Sequence, residues 1–171
     1  MTTQQGSLFD APALLEEPSA EHPLALVFHV LGQPVQQGNF KAITSASTGR
    51  PILKSSDAGL KPWRQQIGQT ALAMLAERGV AGVLIDGPVR LVVRFALPRR
   101  KFHGKRSKLE HAAVRPDFDK LVRAVADALT NVVYGDDGQI TTCLIRKRVA
   151  RPGEPTGVEI AVGPDSDATC D

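Results

Sequence analysis

Residues Pro116 to Leu129 constrain the fold more than any other part of this chain. Phe118, Leu121, Val122, Val125 and Leu129 recur at i, i+3, i+4, i+7 and i+11, the spacing that lines one face of an α-helix. On either side stand Val89–Leu97 and Ile140–Val149, short runs rich in β-branched residues that read as strands. The spacing predicts a helix beginning at Asp117 or Phe118 that buries those five apolar residues. Asp119, Lys120, Arg123 and Asp127 then fall on its other side.

The remaining elements follow from similar patterns. Leu24–Leu31 is continuously apolar and stops at Gly32-Gln33-Pro34, which predicts a buried strand with His29 as a core residue. Residues 35–60 hold too few apolar positions for a core element and read as a long loop. Pro62 suits the first turn of a helix that buries Trp63, Ile67, Ala71, Met74 and Leu75 and ends by Gly79. Residues 99–111 read as a mobile basic loop, and Gly135–Gly138 as a turn. Residues 140–149 and 157–162 read as a strand pair joined by 151–156. The expected fold is α/β in the mixed α+β sense, one small domain in the order strand, helix, strand, helix, strand, strand, with helices packed on a mixed sheet.

A chain of 171 residues supports one domain with a sizeable core. Its apolar runs fall short of the roughly 20 residues that cross a bilayer, and the first residues lack the order of a signal peptide. A cytoplasmic protein is therefore expected. Cys143 and Cys170 supply neither a disulfide framework nor a zinc spacing. The net charge of +3 conceals a strong asymmetry. Four acids lie in residues 1–21 and three in 164–171, with no Lys or Arg in either stretch. The other 11 of the 18 acids share residues 22–163 with all 21 basic residues, giving that stretch +10. This divides the chain into flexible acidic tails at 1–23 and 164–171 around a basic folded unit at 24–163. Such a unit suits a polyanionic partner. Arg99, Arg100, Lys101, Lys105, Arg106 and Lys108, with Arg115 beyond them, are the candidate DNA contacts.

Inside this basic unit the acids Asp117 and Asp119 open the second helix, and Asp136 and Asp137 occupy the turn after it. A hard cation such as Mg²⁺ takes oxygen ligands from a few carboxylates and leaves positions for water and substrate phosphate. Asp117 and Asp119 converge if the first keeps extended geometry, and Asp136 and Asp137 would then complete the set. Lys120 or Arg123 would stabilise transition-state oxygens. A purely structural reading stands beside this one. Asp117 is an N-cap residue, Asp119 pairs with Arg123 for about 0.2–0.5 kcal/mol, and Asp136-Asp137-Gly138 is an ordinary turn.

These residues resemble the RusA family of Holliday junction resolvases, small endonucleases of bacteria and their phages. The pattern runs Asp117-Phe118-Asp119-Lys120-Leu121-Val122-Arg123, then Asp127-Ala128-Leu129, then Asp136-Asp137-Gly138-Gln139-Ile140. A weaker match covers Gly32 to Gly38 and Lys61-Pro62-Trp63-Arg64. The resemblance implies a homodimer of mixed α/β fold that nicks four-way DNA junctions in pairs with Mg²⁺, Mn²⁺ being the alternative ion. It implies Asp117, Asp119 and Asp137 as metal-binding acids with Asp136 beside them, and a place near the nucleoid. Family members often carry Asn directly after the second acid and Lys three residues further, where this chain has Lys120 and Arg123. Arg still meets a phosphate, though its planar fork does not reproduce an ammonium. A branched-DNA-binding module without turnover, or an adaptor recruited to a sliding clamp, are the competing readings.

In the acidic tail, Gln5-Gly6-Ser7-Leu8-Phe9 resembles the short peptide by which bacterial replication proteins dock onto the sliding clamp. An exposed apolar pair gains nothing unless a pocket buries it, and burying both side chains contributes roughly 3–6 kcal/mol before ordering costs. If Gln5, Leu8 and Phe9 form such an anchor, joint Leu8→Ala and Phe9→Ala substitution abolishes clamp binding in titration while the melting temperature stays put. Equal affinity for both proteins would leave the tail without this role.

Overall fold

The computed structural model describes residues 18, 22–38, 40–44, 51–55, 59–99, 112, 113 and 115–165. In chain order the elements are β1 (Leu26–Leu31), β2 (Phe40–Thr44), β3 (Pro51–Ser55), α1 (Leu60–Glu77), β4 (Val89–Leu97), α2 (Phe118–Leu129), a single 3₁₀ turn (Asp137–Gln139), β5 (Ile140–Val149) and β6 (Gly157–Pro164). Four strands form one mixed sheet in the order β1-β6-β4-β5. β6 lies antiparallel to both β1 and β4, and β4 runs parallel to β5. This is the expected small α+β domain with two helices. Among the described residues no helix is long and apolar enough to cross a membrane.

Two details of the chain path differ from the sequence reading. β5 and β6 are consecutive but do not pair, because β6 threads between β1 and β4 and leaves β5 parallel to β4. Alternation in each strand is the same whichever neighbour it meets, so the pattern alone does not choose the partner. Residues 35–60 do not form one long loop either. Phe40–Thr44 and Pro51–Ser55 pair as an antiparallel hairpin in a sheet of their own. A two-stranded ribbon leaves little of the periodic apolar signature by which a core strand is recognised.

The helices cover one face of the sheet. Trp63, Ile67, Ala71 and Leu75 of α1 and Leu121, Val125 and Leu129 of α2 are buried with Leu26, Phe28, Leu91, Val93, Phe95 and Ile160 of the strands. Met74 and Val122 are partly buried against this cluster. Phe118 departs from the expected stripe: it is 57% exposed, because the first helical residue lies beyond the sheet that covers the later turns. Gly68 sets the approach of the helices, since a Cβ there would sit 3.0 Å from the Ala128 carbonyl oxygen of α2. Gly32, at φ +136°, lies so close to the Trp63 ring that a Cβ would come within 3.3 Å.

The opposite face carries a row of charge. Cross-strand registers align His29, Glu159, Arg94 and Arg146 across β1, β6, β4 and β5. Arg94 is ion-paired with Glu159, both side chains being 7% exposed. His29 is not a core residue. Its ring is 47% exposed and lies 3.0 Å from the second Glu159 oxygen, because His29 falls on the outward phase of β1.

At the other end of the domain, Gln139 ties the turn after α2 to the rest of the fold. Its side-chain oxygen accepts from the Gly135 and Asp136 N–H groups at 2.9 and 3.0 Å, and its amide nitrogen donates to the Ile85 and Gly87 carbonyls, both at 3.0 Å. Asp136 completes a capping box by accepting from the Gly138 N–H. Removing four partly exposed bonds with Gln139→Ala should cost about 2–3 kcal/mol. The expected outcome is a lower urea midpoint at unchanged m-value. An unmoved midpoint would show the turn to be held by its backbone alone.

Candidate active site at the start of the second helix

Asp117 is the N-cap of α2, with extended backbone at φ −69° and ψ 138°, yet its side chain makes no capping bond. Its N–H donates to Gln36 Oε1 at 3.1 Å, and its carbonyl accepts the Leu121 N–H at 3.1 Å. The carboxylate is therefore left to solvent, 44% exposed, with Lys120 Nζ 3.1 Å away. The hydrogen bond from Lys120 holds this carboxyl below the usual carboxylate range, and the charges of Lys120, Arg115 and Lys147 reinforce it. Asp119 follows in the first turn of the helix and is exposed. The predicted pairing of Asp119 with Arg123 is not made among the described residues, so both side chains remain accessible to a ligand.

The segment after β1 straps this helix end in place. Besides the Gln36 contact, the Gln37 N–H donates to the Lys120 carbonyl at 3.0 Å. Arg64 of α1 donates from Nη2 to Gln37 Oε1 at 2.9 Å and forms an ion pair with Asp127. Burial, and then the like charge of Arg123, lower the pKa of the Arg64 guanidinium, which still stays protonated. From β5, Lys147 Nζ donates to the Pro116 carbonyl at 2.7 Å. Lys120, Arg115 and Lys147 thus set positive charge beside Asp117, while Arg64 is engaged with Asp127 further along the helix. Sequence reasoning did not single out Gln36, Gln37, Arg64 and Lys147 as site residues. Gln36, Gln37 and Arg64 lie in the two upstream segments that carry the weaker family resemblance, which was the signal available for them.

Asp136 and Asp137 do not join this pair within one chain. The 12 residues of α2 span about 18 Å, with Asp117 at one end and the turn bearing Asp137 beyond the other. An independent measure agrees. Lys147 of β5 touches Pro116, whereas Asp137 comes just before the first residue of that strand, and the seven residues from Ile140 to Lys147 cover roughly 23 Å. Metal ligands sit about 2.1 Å from Mg²⁺, so one ion does not reach both ends. Asp137 lies near the buried Tyr134, whose phenol is pushed up by burial and then by the Asp137 charge. Among the described residues no three His, Cys, Asp or Glu side chains gather into a group able to hold a metal ion. The cluster expected from one chain is thus split into two exposed halves.

Of the expected DNA contacts, Arg99 donates to the Ala150 carbonyl at 2.9 Å, and Arg115 is exposed beside Asp117. Arg100, Lys101, Lys105, Arg106 and Lys108 lie outside the described residues, as do Gln5, Leu8 and Phe9.

The family model described as Endodeoxyribonuclease RusA matches residues 32–163. The uncharacterized protein YqaN of Bacillus subtilis (strain 168) is 28% identical over 128 residues, covering 70% of this chain and 84% of that protein. The matched span runs from the turn after β1 to the end of β6 and takes in the strap, the acidic pair and the capped turn. The chain belongs to the RusA family of endodeoxyribonucleases.

Proposed function

We propose that this protein is a divalent-metal-dependent endonuclease that resolves Holliday junctions by paired nicking in recombination and repair, acting as a homodimer. The observation that carries this reading is the pair Asp117 and Asp119, exposed at one helix end and fenced by cations. Exposed carboxylates suit a hard cation, and the neighbouring Lys and Arg suit the phosphodiester that comes with it. Mg²⁺, or Mn²⁺ in its place, would supply an activated water and neutralise charge on the scissile phosphate.

The chain's own residues prepare that chemistry. The Lys120 hydrogen bond lowers the pKa of the Asp117 carboxyl further. Asp117 and Asp119 would hold the cation, and Lys120, with Arg123 one turn on, would then face the phosphate oxygens. Asp137 is assigned to the same centre across the dimer. Each site takes Asp117 and Asp119 from one protomer and the partner's Asp137, since α2 separates the two halves within a protomer. Paired nicking follows from two such sites related by the dimer axis.

Asp117→Asn, Asp119→Asn and Asp137→Asn should each abolish nicking of a synthetic four-way junction while binding persists or tightens, because a ligand and a repelling charge go together. Mixing the Asp119→Asn and Asp137→Asn proteins tests the sharing. A heterodimer of the two has one centre with both substitutions and one with neither, so nicking of one strand returns. Continued inactivity of the mixture, with subunit exchange shown, would place all three acids in one protomer. Full activity of Asp119→Asn alone would remove the metal site.

Lys120→Ala and Arg123→Ala separate binding from chemistry. If these cations act on the transition state, losing either should lower kcat by about 10- to 100-fold, with junction affinity changed far less. Equal losses in rate and affinity for both would make them plain phosphate contacts.

A further inference from the structure

Beside Asp117 lies a cleft that the phosphate chemistry does not use. It has a volume of about 410 Å³ and opens at the carboxyl ends of the parallel strands, between Leu97 of β4 and Val149 of β5. Its other walls are the strap Gln33–Gln36 and the Arg115–Pro116 approach to α2. The size falls in the lower part of the range for small-molecule sites, roughly 300–1,000 Å³. Most of the wall is aliphatic or proline, and Gln33, Gln36 and Arg115 provide the polar groups. Among the described residues, no carboxylate and no aromatic ring lines it.

We propose that this cleft receives one unpaired nucleobase of the branched DNA, drawn out of the stack next to the phosphate served by Asp117 and Asp119. The inference rests on the nuclease reading above and names what that site holds besides the phosphate. Three features select a base. Apolar walls suit a ring face, and two carboxamides suit the hydrogen-bonding edge of a base, which offers donors and acceptors together. Arg115 suits the negative backbone that must follow the base in. The position ties the cleft to the chemistry, because Gln36 lines it and also accepts the Asp117 N–H at 3.1 Å. That bond fixes Oε1 of the carboxamide and leaves Nε2 as the donor. A base seated against Gln36 therefore registers the neighbouring phosphate against the acids. Extrusion is least costly for a base that has already lost its pair, the situation at a branch point and not along an intact arm.

Four-way junctions carrying 2-aminopurine at successive positions around the branch test the proposal, with the full-length protein in EDTA so that no strand is cut. The expected result is a several-fold fluorescence rise at one position flanking the nick, because the probe leaves the quenching base stack, and no rise in the distal arms. Gln33 is exposed at the rim, so Gln33→Trp should close the cleft without disturbing the core. It should remove the rise and weaken junction binding by about tenfold, with the melting temperature unchanged. An abasic residue at the responsive position should make the affinities of wild type and Gln33→Trp equal. If no probe brightens on a junction that the protein binds and, with Mg²⁺, nicks, the cleft holds no base and the nuclease reading stands. A full rise in Gln33→Trp overturns the proposal in the same way. Failure to bind or nick the junction overturns the nuclease reading itself.

Discussion

Parallel strands cannot be joined by a tight turn, and the β4–β5 pair therefore requires a crossover that returns the chain to the edge where it began. α2 is that crossover. Its apolar stripe packs on the sheet beside α1, and the small side at Gly68 lets the two helices approach closely. Once α2 is fixed lengthwise along the sheet, its ends lie at opposite edges. Asp117 and Asp119 are set at the carboxyl edge of β4 and β5, and Asp136 and Asp137 at the amino edge. Burial of the helix and convergence of all four acids are incompatible within one protomer. This is the physical reason that the acids form two separate groups within the domain.

The carboxyl edge is built for exposure of its acid. An Asp at the N-cap ordinarily folds back onto the first turn, a contact worth about 1 kcal/mol. Here the Asp117 side chain leaves that bond to the first-turn N–H groups unmade, and the residue's own backbone N–H donates to Gln36. Gln37 holds the Lys120 carbonyl, and Arg64 holds Gln37. The strap thus positions this helix end, and the carboxylate stays exposed beside Lys120. The amino edge is arranged differently, since Asp136 and Gln139 close a capping box around the turn. Gln139 serves the backbone, Asp136 is committed to a cap, and Asp137 alone of that group has its side chain outside the box.

The helix-free face of the sheet shows how charge is buried when it is not meant to react. Arg94 and Glu159 are direct cross-strand partners and are buried together, an arrangement in which removal of either takes away the main counter-charge of a buried group, a change of the kind that costs about 3–5 kcal/mol. Arg148 and Glu154 repeat the pattern, with Arg148 2% exposed. The acids at the two ends of α2 are the reverse: Asp117, Asp119, Asp136 and Asp137 keep access to solvent, and Asp117 is bordered by Lys120.

How much was legible in the sequence depends on how local each cause is. The helical stripe Leu121, Val125 and Leu129, the α1 positions Trp63, Ile67 and Ala71, and the four core strands were readable because 3.6- and 2-residue periods record which side of an element meets the core. The acids could be identified as a group, since their spacing and basic setting are written in the chain. Phe118 was misplaced because a period says nothing about where the covering sheet stops. His29 was misplaced because an apolar run hides which phase of the strand faces outward. The β2–β3 hairpin left no periodic signature, and the insertion of β6 between β1 and β4 left none either, because alternation does not name a partner. Tertiary structure alone decided that Gln36 would hold Asp117 and that Asp137 would lie a helix length away. Both depend on segments brought together across the sheet, and no spacing along the chain encodes a distance that only the crossover of α2 sets.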